Sequence, residues 1–465
     1  MRCTVGPDRR RLAAGGEKGG FKEAFAAEIC SEIETLVGAP VKEWDFEAIE
    51  VAARGKALHI AALAITRRLN SDQSDYQGPN LPCPRCGGPS RYAGRRQKSF
   101  LTVLGEMRLT RAYYHCRRCA TGFCPRDQAL GFQAGCLSPH VLRMVGVVGG
   151  RVSFQEGHQL LWELAGIHVA TKQIERQAEQ LGSEILNDER SVVEADCNGP
   201  LPPTLYLGMD GTGVPMRASE LVGRRGKQQD GSAKTREVKL VSVWSAEGRD
   251  EKGLPVRDEG SVTYSAAIES AACRDVDQDI SQFAQRVERE ALRRRFQQAP
   301  RQAILGDGAA WIWNLASELF PDAIQIVDRY HANEHLATVA KAIYGPGTDL
   351  AEQWTHERCT ELKAGNVDAV LTALAQHSIK EARLCRKYLR TNRQRMRYDS
   401  FHAAGLCTSS AVVESGCKRA VGLRLKQGGM FWTVDGANGI LALRCSRLSG
   451  RFEDFWERRA LRPTG

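Results

Sequence analysis

The chain has 465 residues, 42% of them hydrophobic and 26% charged, and a formal net charge of +10 from 65 Lys and Arg against 55 Asp and Glu. That length predicts two to four domains with a real hydrophobic core, and the balance excludes a disordered or fibrous chain. No apolar run approaches the roughly 20 residues needed to span a bilayer, and the basic stretch Met1 to Lys18 lacks an apolar signal core, so a cytoplasmic protein without a membrane partner is expected.

The positive excess favours a polyanionic partner, because each neutralised phosphate releases condensed counterions. The 15 cysteines are sparse along a long chain, which fits reduced thiols with a few used as metal ligands better than a disulfide framework.

In chain order, Phe21, Phe25, Ile29, Ile33 and Leu36 recur at helical spacing, Gly38 and Pro40 interrupt, and Ile49 to Leu69 resumes the helix. Ser71 to Asn80 is polar and predicts a linker. Cys83-Pro-Arg-Cys86 and Cys116-Arg-Arg-Cys119 then form two CxxC knuckles around two expected strands, Phe100 to Leu104 and Met107 to Tyr114, joined at Gly105-Glu106. Two such turns can place four thiolates tetrahedrally around a structural Zn²⁺. A redox CxxC is the alternative, but it calls for one pair beside a βαβ unit. His115 and Cys124 are nearby spare ligands. Arg85, Arg95, Arg96, Lys98, Arg117 and Arg118 surround this ribbon-like module with charge suited to phosphate contact.

Ser153 to Leu181 predicts a helix, a turn at Gly166 and a second helix. Leu160, Leu161 and Leu164 form an apolar face, Ile167 and Val169 pack beneath the turn, and Thr171 is placed to cap the second helix. If this is a helix-turn-helix, Lys172, Gln173 and Arg176 face the major groove. Many short helical pairs never touch DNA, so both readings stand.

Beyond Asn198 to Pro203, the apolar strand Leu205 to Met209 is expected to end in the carboxylate of Asp210, with glycines following for a turn. Lys239 to Trp244 is a neighbouring strand. Gln302 to Gly306 repeats the design and ends at Asp307, and Ile324 to Val327 ends in Asp328-Arg-Tyr-His331. Ser409 to Gly416 carries Glu414 ahead of the basic pair Lys418 and Arg419. Carboxylates converging at a sheet edge can hold two Mg²⁺ ions about 3.5–4 Å apart for phosphoryl transfer. Between Asp307 and Glu414, the stretch Lys380 to Arg397 is strongly basic, including Lys387, Arg390 and Arg393. It reads equally as a solvated helix face and as a DNA-backbone surface.

The blocks LYLGMDGTGVPM, LGDGAAWIWN, VDRYHANEHL and SSAVVESGCKRAVGLRLKQGGMFW together resemble bacterial insertion-sequence transposases of the Kra type, over about Leu81 to Trp456. The resemblance implies a DDE enzyme with an RNase H-like core. Asp210, Asp307 and Glu414 would be its metal-binding catalytic acids, Asp328 and His331 supporting residues, and Mg²⁺ or Mn²⁺ the cofactor. It also implies a helical insertion in the core, DNA ends and target DNA as partners, a homo-oligomer on DNA, and a nucleoid-associated location.

The expected fold is α/β: residues 1–80 helical with a linker, 81–130 a zinc-ribbon-like module, 131–200 a helical DNA-binding region. Residues 201–465 form the mixed-sheet catalytic core with an insertion at about 340–405. Two other functions fit less of the chain. One is a DNA-binding regulator with an inactive core. The other is a zinc protease read from His331-Ala-Asn-Glu334-His335, in which Glu334 would be the base and Glu414 a third ligand. That second reading leaves Asp210, Asp307 and the cysteine pairs unexplained.

Overall fold

The computed structural model describes residues 19–37 and 45–461, apart from 133–134, 193–194, 197–198, 227, 229–230, 232, 252, 272–280 and 410. The basic stretch 1–18, the helix break at Gly38 and Pro40, and Asn198 lie outside the described residues. The chain divides into two compact units, Met1–Arg143 (with Arg462–Gly465) and Met144–Leu461. No helix among the described residues is long and apolar enough to cross a membrane.

In the first unit, α1 (Gly19–Val37) packs on α2 (Phe46–Ser71). The Asp45 carboxylate caps α2 by accepting from the Ala48 amide at 2.8 Å. A four-stranded antiparallel sheet follows, in the order β1 (Asn80–Pro82), β2 (Pro89–Thr102), β3 (Gly105–Cys116), β4 (Thr121–Phe123), with the short helix α3 (Pro125–Ala129) after it. The β2–β3 turn is Val103-Leu104, because Thr102 already pairs with Gly105; the expected turn at Gly105-Glu106 is two residues too late. Phe100, Met107 and Leu109 pack with Ala62 of α2, so the helices and the sheet share one core rather than forming separate modules.

The expected linker Ser71 to Asn80 is instead a folded part of this unit. Asp75 is buried there and accepts from the Ala112 amide at 2.7 Å and from Arg95 at 2.9 Å. The Gly78 carbonyl accepts from the Tyr114 hydroxyl at 2.9 Å. The segment is polar because it satisfies sheet and arginine donors, not because it is solvated.

The second unit holds most of α4 (Pro139–Arg151), then α5 (Phe154–Ala165) and α6 (Thr171–Ser191). Ser153 and Glu156 form a capping box on α5, and Gly166 ends it in a left-handed conformation. Ile167 and Val169 are buried as expected. Leu164 is 72% exposed, however, and the first helix presents only Leu161 fully inward. Thr171 is the first residue of α6, behind an uncapped Ala170, so the expected Thr171 cap is not made.

The core of this unit is a five-stranded mixed sheet. Its strands are β5 (Thr204–Pro215), β6 (Thr235–Ser245), β9 (Thr263–Ala267), β10 (Arg301–Gly306) and β11 (Ile324–Val327), in the order β11-β10-β5-β6-β9. A small hairpin, β7 (Gly248–Arg249) and β8 (Pro255–Val256), lies between β6 and β9. β5, β6 and β9 are antiparallel, whereas β10 and β11 join parallel to β5. Thr204 to Met209 and all of β9 are buried continuously, as strands covered on both faces are. The helices α7 (Gln282–Arg293), α14 (Ala411–Gly416) and α16 (Val434–Leu448) pack on the sheet, and α6 packs along α16.

α8 (Ala310–Leu319) connects β10 to β11. After β11 the chain leaves the sheet for a helical excursion: α9 (Arg329–Tyr344), α10 (Asp349–Lys363), α11 (Val367–Ala375), α12 (Lys380–Asn392) and α13 (Tyr398–Ala403). It returns at Thr408, whose carbonyl accepts from the Arg329 amide at 3.0 Å. A π-helical turn (Cys417–Gly422), the short α15 (Leu423–Leu425), α16 and finally α17 (Phe452–Leu461) complete the unit.

Candidate active site

Asp210 does not end its strand. β5 runs on to Pro215, paired with β6 as far as Thr235, and Gly211 and Gly213 belong to that ladder rather than to a turn. The parallel partner β10 stops pairing at Gly208, so the sheet is stepped and Asp210 lies just beyond the step. Its carboxylate accepts from the Gly211 amide at 2.6 Å and from the Cys417 thiol. Burial, with the nearby charge of Asp307, raises the Asp210 carboxyl above its ordinary value; Cys417 and Gly211 offset only part of this.

Asp307 is the first residue past β10 and accepts from the Ala309 amide at 2.8 Å. Its own carbonyl accepts from the Tyr388 hydroxyl of α12 at 2.8 Å. Gly308 has φ +102°, and a Cβ there would lie 2.4 Å from the Tyr388 ring. Only glycine lets the helical excursion close onto this loop.

Asp328 follows β11, is fully buried, and caps α9 by accepting from the Tyr330 amide at 2.6 Å; its own amide donates to the Gly306 carbonyl at 2.8 Å. Adjacent strand ends therefore carry Asp307 and Asp328 side by side. One turn into α9, His331 places Nδ1 3.3 Å from Glu334 and Nε2 3.3 Å from Glu414.

Glu414 lies on α14, which approaches the sheet through Gly208. A Cβ at Gly208 would be 2.1 Å from the Val413 side chain and 2.9 Å from Trp244. Burial and Asp328 raise the Glu414 carboxyl, with His331 opposing.

The five expected site residues thus meet at one edge of the sheet, but not as three equal acids. Asp328, His331 and Glu414 offer ligand atoms within 4.8 Å of one another and could hold a metal ion; Asp210, Asp307 and Glu414 do not form such a group. Glu414 pairs with His331 rather than with the two aspartates. His335, the second histidine of the protease-like motif, joins no potential ligand group among the described residues. Its ring packs on Tyr388 at 4.1 Å, and burial lowers its basicity.

Two contributors escaped sequence reasoning. Cys417 stands three residues after Glu414, a spacing that could have flagged it as sharing a helix face. Tyr388 offered no local signal.

The expected DNA-facing residues are dispersed. On α12, Lys387 and Arg390 are exposed, while Arg393 pairs with Asp368 at 2.5 Å. Lys418 and Arg419 are exposed on the π-helical turn. On α6, Arg176 is exposed, Gln173 is half-buried, and Lys172 pairs with Glu175 at 2.8 Å.

In the first unit, the four knuckle thiols also form a potential ligand group. Cys83 and Cys119 sulfurs are 3.6 Å apart, as are those of Cys86 and Cys116. Tetrahedral Zn–S bonds of about 2.3 Å place sulfurs about 3.8 Å apart, so the set fits zinc. Burial opposes ionisation of Cys83, but the amides of Arg85 and Cys86 and the neighbouring thiols bring it down to about 6. Cys86 accepts from the Gly88 amide, yet the crowd of thiols pushes it up to about 11. His115 and Cys124 stand outside the group.

No family model matches the chain, and no curated protein matches it. Among solved structures it is similar to the Drosophila P element transposase strand transfer complex, with 11% sequence identity and a TM-score of 0.25, over 71% of this chain and 83% of that one.

Proposed function

We propose that the chain is a DNA transposase of the DDE group, acting by phosphoryl transfer on DNA, with Asp210, Asp307 and Glu414 as its catalytic acids. The observation that carries this reading is the stepped sheet edge, where two strand-borne aspartates and a helix-borne glutamate share one field of charge. The arrangement suits an RNase H-like core carrying a helical insertion.

Carboxylates gathered at one sheet edge, two of them (Asp210 and Glu414) with raised proton affinity, are the chemistry of a cation site. Asp210 and Asp307 would hold Mg²⁺ or Mn²⁺, with Glu414 completing the set once it leaves His331. Such ions supply charge neutralisation at the phosphodiester and lower the pKa of the attacking water or 3′-hydroxyl. The chain's own groups do the rest. The Gly211 and Ala309 amides fix the two aspartates, Tyr388 holds the Asp307 loop, and His331 can keep or release Glu414. No covalent protein–DNA intermediate is required.

In the first unit, Cys83, Cys86, Cys116 and Cys119 would hold a structural Zn²⁺. DNA contacts would fall to α6, to α12 and to Lys418 and Arg419, with more than one copy needed to pair two DNA ends.

The test is a Mg²⁺-dependent nicking and joining assay of the full chain on the DNA flanking its own gene. Asp307→Ala should reduce the rate on the order of 10³-fold, the loss usual when a charge-stabilising group leaves an active site. Equal activity in that variant overturns the acid assignment. Tight, specific DNA binding with no cleavage in the unmodified chain would favour a regulator instead.

A further inference from the structure

A cavity of about 330 Å³ in the second unit is lined by Gly150, Arg151, Arg419, Leu423, Arg444, Arg447 and Leu448. Four of its seven lining residues are arginines and none is acidic. Arg444 is only 8% exposed. It donates from Nε to the Ala420 carbonyl at 2.6 Å and from its terminal nitrogens to the carbonyls of Gly150 and Arg419. Two of those carbonyls belong to the π-helical turn, where the wider winding frees them from their ordinary partners.

Satisfying carbonyls accounts for Arg444, but not for Arg151 and Arg419 beside it. A guanidinium has five N–H groups, so three donations leave two more. Arg151 and Arg419 are exposed, Arg447 stacks over Phe452 at 4.9 Å, and behind them the fully buried Arg424 leaves one terminal nitrogen without a partner. No carboxylate pairs with Arg151, Arg419 or Arg444 among the described residues. Burial and the charge of Arg151 both work against the protonated form of Arg444. The charge of Arg151 thus bears on a buried guanidinium with no carboxylate beside it, and a bound anion would relieve that repulsion. Forked guanidinium donors match phosphate oxygens in pairs.

We infer that this cavity is a phosphate site and that its occupant is a phosphodiester of a bound DNA strand. The occupant rests on the DNA-handling reading above; the phosphate chemistry does not. Arg419 lies on the same π-helical turn as Cys417, which donates to Asp210, so the strand would be held one turn of backbone away from the carboxylates.

The double variant Arg151→Ala/Arg419→Ala removes two exposed side chains and leaves Arg444 in place. Two measurements test the site: the thermal midpoint with inorganic phosphate against chloride at equal ionic strength, and the affinity for a DNA duplex between 50 and 200 mM salt. Phosphate should raise the midpoint of the unmodified chain and not that of the variant. The slope of log affinity against log salt should shrink by about 1 for each arginine lost. Duplex binding with an unaltered slope, or equal phosphate stabilisation in both proteins, overturns this proposal and leaves the transposase reading intact. Phosphate stabilisation confined to the unmodified chain, with no DNA binding at all, supports the anion site while overturning both the DNA occupant and the transposase reading.

Discussion

Asp210 shows what a buried acid beside a second carboxylate costs its own fold. Its carboxyl is raised by burial and by Asp307, so the folded chain holds a proton there more tightly than the unfolded chain does. The destabilisation from ionising it is absent below the unfolded value, near 3.9, and grows until pH passes the raised folded value. Asp210→Asn should therefore be more stable than the unmodified protein at pH 7 and lose that advantage near pH 3, as measured by urea unfolding at both pH values. Mg²⁺ should raise the melting midpoint of the unmodified chain, because it binds the folded state, and should raise that of the variant much less. An asparagine variant that is less stable at pH 7 would show that the site is not electrostatically loaded.

The elements of the second unit are tied together by charge as well as by apolar packing. Glu290 of α7 is fully buried, accepts from Arg451 at 2.7 Å and from the Thr263 hydroxyl at 2.5 Å, and Arg451 also reaches Asp196 at 2.6 Å. Burial alone would raise the Glu290 carboxyl, but Arg451 and Thr263 outweigh it and hold it down at about 2. A depressed carboxyl contributes stability above its unfolded value of about 4.3 that is lost as pH falls toward the folded one. Arg451→Met should cost about 3–5 kcal/mol by leaving a buried charge unpaired, read as a shift in the urea midpoint at pH 7. A shift under 1 kcal/mol would mean that Glu290 is relieved by protonation or by water.

At this scale the sequence was most legible where apolar runs met charge. Strands β5, β6, β10 and β11 and the helical excursion follow from periodicity and apolar runs. The continuation of β5 past Asp210 does not, because Gly-Thr-Gly carries no strand preference and only the ladder with β6 keeps it extended. Nor does the pairing of Glu414 with His331, which depends on how α14 settles over Gly208.

For the whole molecule, the single division falls at 143/144, and each unit makes its own demands. The first unit has a small core around Phe100 and Leu109, and its sheet ends converge on four thiols. A closed four-thiolate site contributes its metal-binding free energy directly to the fold around it. Chelation of zinc, or Cys116→Ser, should release about one equivalent of Zn²⁺ and collapse amide-exchange protection over β2 and β3. Protection over β5 and β10 should persist. Protein purified with no zinc and full protection in both units would refute a structural metal. Asp75, which pairs with Arg95 and Arg126 and accepts from the Ala112 amide, was invisible as structure because the polarity of Ser71 to Asn80 suggested a linker.

The helical excursion begins and ends at one point: the Arg329 amide meets the Thr408 carbonyl, and Arg301 of β10 donates to the Ala404 carbonyl at 2.8 Å. Between those anchors the detour grips the sheet at three further points: Tyr388 on the Asp307 loop, the Tyr398 hydroxyl on the Val327 carbonyl at 3.0 Å, and Arg395 on Gln325 at 2.7 Å. Changes in helix length that keep these grips would leave the strand ends bearing Asp307 and Asp328 where they are.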